Sequence, residues 1–140
     1  MRKFNGDIVG DGVQVAKWCL KSNLIQQGVT ILYETLITFL LDRATAGYLD
    51  EGLRKAASSA VQLYSQKKPK TEWTGDAATH PEITQKIIEI CAENAEVAKL
   101  IDRLGKVRND INHGGYKKDS LKARDLEKKF RLALKRAAWL

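Results

Sequence analysis

Histidine, cysteine and proline each occur only twice in the 140 residues. With so few imidazoles and thiols, and no CxxC or HExxH spacing, the chain lacks the ligand sets of a zinc site. Neither a metal nor any other cofactor is expected. Carboxylate clusters of the kind that hold two catalytic metal ions are missing too. The longest apolar run, Val29 to Leu41, is interrupted by Glu34 and is too short to cross a bilayer. The N-terminus has no leader pattern, so a cytoplasmic protein with no membrane attachment is the expectation. In a reducing compartment Cys19 and Cys91, both within apolar helix-like stretches, are buried thiols. Strand-like alternation is scarce, and there is no internal repeat or low-complexity tract.

What remains is an ordinary globular balance, 44% hydrophobic and 29% charged, in a length that suits one domain, residues 1–140. The charge is unevenly placed. Residues 1–100 hold twelve Lys/Arg against twelve Asp/Glu, whereas residues 101–140 hold twelve against five and so carry the whole net charge of +7. A neutral body with a basic C-terminal third suggests a polyanionic partner; the plainer reading is a lysine-rich solvated helix.

Helical periodicity runs along the whole chain. Val13, Ala16, Cys19 and Leu20 mark a first helix starting at Gly10-Asp11 and broken at Ser22-Asn23. A second runs from Leu24 to about Ala44, with Ile25, Val29, Leu32, Leu36 and Leu40 in one stripe. Ile31, Tyr33, Ile37 and Phe39 make it apolar nearly all round, the mark of a central, buried helix. A stop at Gly47 follows. A third spans Asp50 to Gln66, with Leu53, Ala56, Ala57, Ala60, Val61 and Tyr64 facing inward. Lys67 to His80 reads as the one long loop, pinned by Trp73. Pro81 opens a fourth helix ending near Asn94, with Thr79 and Glu82 at capping-box spacing. A fifth covers Ala95 to about His113, and a sixth opens at Asp119-Ser120 and buries Leu126, Phe130, Ala133, Leu134 and Ala137. Trp18 and Trp139 read as core or interface residues. The fold class is therefore all-α, a helical bundle of five to six helices.

One segment concentrates polar groups that such a bundle does not require: Arg108, Asn109, Asp110, Ile111, Asn112, His113, then Gly114-Gly115. At ~100° per residue, Val97, Leu100, Leu104, Val107 and Ile111 fall within an arc of about 80° that faces the core. Arg108, Asn109, Asn112 and His113 share an arc of roughly 140° away from it. A guanidinium suits bidentate phosphate contact, and an imidazole moves its proton near neutrality. Together they suit RNA cleavage by attack of the ribose 2′-hydroxyl on the adjacent phosphate, which needs proton transfer and a cation but no metal. One His cannot act as base and acid in a single step. A two-fold dimer that apposed two such helix tips would supply two of each group. The same residues also read as ordinary helix termination: His113 favours the dipole, and Arg108 pairs with Asp102, Asp110 or another carboxylate.

The run RNDINH, Arg108 to His113, resembles the signature of the HEPN superfamily: Arg, a polar residue, three variable positions, then His. The segment WCLKSNLIQQGVTILYE, Trp18 to Glu34, taken with the later RNDINHGG, resembles the effector domain of CRISPR-associated ribonucleases of type III antiviral systems. That resemblance implies an all-α HEPN-like fold and a homodimer with a composite site for single-stranded RNA. It implies catalytic Arg108 and His113, with Asn109 beside the Arg, and products ending in a cyclic phosphate and a 5′-hydroxyl. Gly114 departs from the alanine usual in the family. No CARF sensor domain precedes the helices in this sequence, so cyclic oligoadenylate would act only through a domain absent from this chain. Two alternatives stay open: a catalytically inactive HEPN-like module that binds RNA or a nucleotide or only dimerises, and a HEPN toxin of a toxin–antitoxin pair.

Around this segment, Asn112, Tyr116, Lys117 and Lys118 are candidate RNA contacts, and Lys67, Lys68 and Lys70 are candidates to hold flanking phosphates. Glu34, the one charge within the apolar run Val29 to Leu41, reads either as a buried electrostatic partner of Arg108 or as a structural or partly exposed residue. His80 reads as a cap or loop residue.

Overall fold

The structure, a computed structural model, describes residues 7–44, 46–112 and 123–138, with the side chains of 110–112 and 123–124 outside the description. Every regular element among the described residues is helical, as the periodicity requires. They are α1 (Ile8–Lys21), α2 (Ile25–Arg43), α3 (Glu51–Gln66), α4 (Gly75–Thr79), α5 (Pro81–Glu93), α6 (Ala95–Asn112) and α7 (Ala123–Ala137), with a single 3-10 turn at Lys70–Glu72. Residue contacts divide the chain into a terminal unit, Met1–Thr35 with Arg103–Leu140, and a central unit, Leu36–Asp102. The boundary falls inside α2 and α6.

In the terminal unit, Asp7 starts α1 by accepting a hydrogen bond from the Gly10 amide at 3.2 Å, satisfying one of the orphan donors of the first turn. The helix ends where Asn23 takes a left-handed conformation, φ 58°, which asparagine tolerates better than most residues. Val13, Ala16 and Cys19 are buried on α1, Val29 and Leu32 on this half of α2, and Phe130, Ala133, Leu134 and Ala137 on α7. α1 packs on α7. Two glycines make the packing possible. A Cβ at Gly28 would collide with the Phe130 ring and come within 3.1 Å of the Cys19 Cβ. A Cβ at Gly12 would run into the Thr35 hydroxyl and sit 2.7 Å from its methyl. That hydroxyl donates to the Ile31 carbonyl at 2.7 Å.

The central unit is built on the small face of α3. Ala56, Ala57 and Ala60 are fully buried and Val61 nearly so, and the lack of bulk lets both α4 and α5 pack on this helix. Asp50 caps α3 through a 2.9 Å bond from the Leu53 amide. Lys67 ends it with a left-handed φ of 54°. Leu36, Ile37, Leu40 and Leu41 of α2, Ile87 and Cys91 of α5 and Ala98 of α6 complete the core.

Three local expectations need correction. The stretch after α3 is not a plain loop: it holds the 3-10 turn and α4, which raises the helix count to seven among the described residues. Burial of the small Ala77 side chain on α4 holds that short helix down, a tertiary effect that a polar sequence does not advertise. The Thr79–Glu82 capping box does not form. His80 is the N-cap of α5 and makes no side-chain cap bond, while the Thr79 hydroxyl donates back to the Gly75 carbonyl at 3.0 Å. Gly47 does not terminate α2, which ends at Arg43.

Candidate functional site

Arg108 lies near the C-terminal end of α6, in the terminal unit, one residue past the buried Val107. On the helical wheel it borders the core arc, at roughly 20° from Val97, which explains its intermediate burial. Its side chain keeps 34% of its exposure. Two successive residues of α2 meet it. The Arg108 Nη1 group donates to Glu34 Oε1 at 3.2 Å, and its guanidinium carbon stands 4.6 Å from the centroid of the Tyr33 ring. Gly105, one turn earlier on α6, faces the same ring: a Cβ there would sit 3.5 Å from Tyr33 Cε2.

Glu34 thus combines its two readings: it is a partner of Arg108, but a partly exposed one, since its side chain retains 46% of its exposure. That exposure decides what the pair can do. An ion pair so accessible to water adds about 0–1 kcal/mol to stability, and a partly exposed cation–π contact about 0.5–1 kcal/mol. Neither is large enough to organise the fold. Both are large enough to bias where a long, flexible side chain spends its time. In the sequence Tyr33 reads only as part of the apolar covering of α2. Nothing in its spacing signals the guanidinium, because that contact depends on how α2 and α6 are turned toward each other.

No family model, no curated protein and no solved structure matches the chain.

Asn109 is exposed beside Arg108. His113, Tyr116, Lys117, Lys118 and the side chain of Asn112 lie outside the described residues. The positive charge expected of the C-terminal third is seen on α7, where Lys128, Lys129, Arg131, Lys135 and Arg136 are all exposed. Arg131 is partly neutralised by Glu127 at 3.0 Å. Lys67, Lys68 and Lys70 are exposed in the central unit, with the Lys70 ammonium 5.8 Å from the Trp73 ring centroid. Trp73 is half-buried, as a pinning residue should be. Trp18 is not a core residue: 59% of it is exposed. It sits on the outer face of α1, because Val13, Ala16 and Cys19 take the inner one.

Cys19 and Cys91 are buried free thiols, as expected. Burial raises the Cys19 thiol above its ordinary value and pushes Cys91 up to about 11. Neither is activated for nucleophilic work. Among the described residues no group of three or more His, Cys, Asp or Glu side chains is placed to hold a metal ion. No helix among them is long and apolar enough to cross a membrane.

Proposed function

We propose that this chain is a metal-independent endoribonuclease of HEPN type, acting on single-stranded RNA as a homodimer whose two α6 tips form one composite site. By the resemblance of Trp18 to Glu34, taken with the later RNDINHGG, its setting is type III CRISPR antiviral defence. The observation that carries the reading is the seated, accessible guanidinium of Arg108 at the end of α6, followed by Asn109 and, five residues on in the sequence, His113. Arg108 holds the scissile phosphate and stabilises the phosphorane. Asn109 positions the backbone or the imidazole. His113 takes the 2′-hydroxyl proton in one protomer, and the partner copy's equivalent group protonates the departing 5′-oxygen. The 2′-oxygen forms its bond to phosphorus as the bond to the 5′-oxygen breaks, which leaves a cyclic phosphate and a 5′-hydroxyl. The exposed Trp18 on α1 and the half-exposed Leu132 on α7 belong to the same unit as Arg108 and support association of two copies through this part of the chain.

The test is incubation of the pure protein with labelled single-stranded RNA in EDTA. Cleavage is expected to persist, with cyclic-phosphate and 5′-hydroxyl ends, and to stop where the scissile ribose is replaced by deoxyribose. Mixing His113→Ala chains with wild type should lower activity as the square of the wild-type fraction. A linear fall would exclude the composite site.

One observation favours the second reading, a silent RNA-binding or dimerisation module. The Arg108 charge already has a resident counter-ion in Glu34. Such a module would lose RNA affinity on charge reversal at Lys117 and Lys118 and would show no cutting under any condition.

A further inference from the structure

We infer that Tyr33 and Glu34 are positioning residues for the Arg108 guanidinium, the ring holding its central carbon and the carboxylate its Nη1 group so that the Nη2 and Nε side is offered to a phosphate. The inference rests on the ribonuclease reading above and adds two residues to it.

Neighbouring residues on a helix point about 100° apart, so a ring at position 33 and a carboxylate at position 34 can both reach one group only if it stands between them. The Arg108 guanidinium does: its carbon is 4.6 Å from the ring centroid and its Nη1 is 3.2 Å from Glu34 Oε1. The two contacts also divide the group between them. The ring needs no oxygen acceptor, and a single Nη1 bond engages one of the five N–H donors of the fork. The Nη2 and Nε edge is one of those that bind a phosphate bidentately. Gly105 contributes by having no side chain, because the Tyr33 ring lies within van der Waals reach of its position.

A guanidinium held this way meets its phosphate already ordered. Misplacing a positioned group by about 1 Å can cost on the order of 100-fold in rate. The cradle should therefore appear in turnover rather than in substrate binding.

The experiment uses the whole chain with five substitutions, Glu34→Ala, Glu34→Gln, Tyr33→Leu, Tyr33→Phe and Arg108→Ala. Two readouts are compared: cleavage of single-stranded RNA in EDTA, and the Nε–H signal of Arg108 by NMR, assigned by its loss in Arg108→Ala. Glu34→Ala and Tyr33→Leu are each expected to lower kcat by up to about 5-fold, the population change that about 1 kcal/mol allows, with KM within about 1.5-fold, and to leave the Nε–H signal mobile. Glu34→Gln keeps an acceptor oxygen and Tyr33→Phe keeps the ring, so both should stay within about 1.5-fold of wild type and retain an ordered signal. Wild-type kinetics in Glu34→Ala and Tyr33→Leu, or an Nε–H signal already mobile in the wild type, would overturn the inference. If the wild type cuts no RNA, the ribonuclease reading fails separately and titration with inorganic phosphate decides the cradle. A shift of the Arg108 Nε–H signal that is lost in Glu34→Ala upholds it; no shift in wild type overturns it.

Discussion

The two units handle their polar groups in opposite ways, and two arginines show it best. In the central unit Arg54 turns inward: its Nη1 reaches the Thr38 hydroxyl at 2.9 Å and the Tyr48 carbonyl at 2.7 Å. It thereby ties the turn before α3 to the buried face of α2. Thr84, fully buried, likewise holds its hydroxyl 2.9 Å from the Ala77 carbonyl and 2.8 Å from that of His80, pinning α4 to the start of α5. In the terminal unit Arg108 meets a carboxylate and a ring at the surface and stays a third exposed. The lesson concerns partner type. Neutral oxygens that accept from a half-buried cation restrain the backbone that carries them. A solvated carboxylate and an aromatic face restrain only the cation, and leave it available.

The sharpest way to break this contrast is to exchange the losses. Arg108→Ala should lower RNA cleavage by about 100- to 1,000-fold, as for removal of one group that stabilises developing charge, with little change in melting temperature. Arg54→Ala should do the reverse, lowering the melting temperature while the folded protein at 25 °C still cuts. If both variants lose stability alike, the distinction between the units fails.

Alkaline titration probes the inward-facing unit next. The Cys91 thiol is pushed up to about 11 in the folded chain from an ordinary 9.0. The folded state therefore resists giving up a proton that the unfolded chain releases. Stability should hold below pH 9 and fall as the pH rises toward 11, by at most about 3 kcal/mol. Urea unfolding at a series of pH values would show this, and Cys91→Ala should flatten the slope.

The smallest expected effect is at Thr84. Replacing it with valine keeps the shape but removes the hydroxyl between two carbonyls, and should cost about 1–2 kcal/mol. Chemical denaturation measures it directly.

Much of the architecture could be read before any coordinates were known, because it follows from local pattern. The apolar spacing of α2 and the alanine face of α3 each depend on residues within a few positions of one another. α4 is not legible in the sequence because its five residues, Gly75–Thr79, are held by one buried alanine and by contacts with α3 and α5. The capping box failed for a related reason, since the Thr79 hydroxyl finds a carbonyl inside α4 instead. At the candidate site, Glu34 stands out in the sequence as the one charge within the apolar run Val29 to Leu41, and Arg108 and Asn109 as surplus polar groups at a helix end. That Glu34 and Arg108 meet was foreseeable as one of several pairings. The Tyr33 stacking was not, because an aromatic residue in an apolar stripe gives no sign of which face a cation will take.

Phe130 gives α7 more than a place in the core. Its ring lies against bare main chain at Gly28, like a key in a slot cut into α2. A helix seated by one aromatic in one notch cannot roll about its axis without losing that fit. The azimuth of α7 is thereby set, and with it the bearing of the cationic row formed by Lys128, Arg131 and Lys135. A contact that carries no charge thus aims the molecule's electric field.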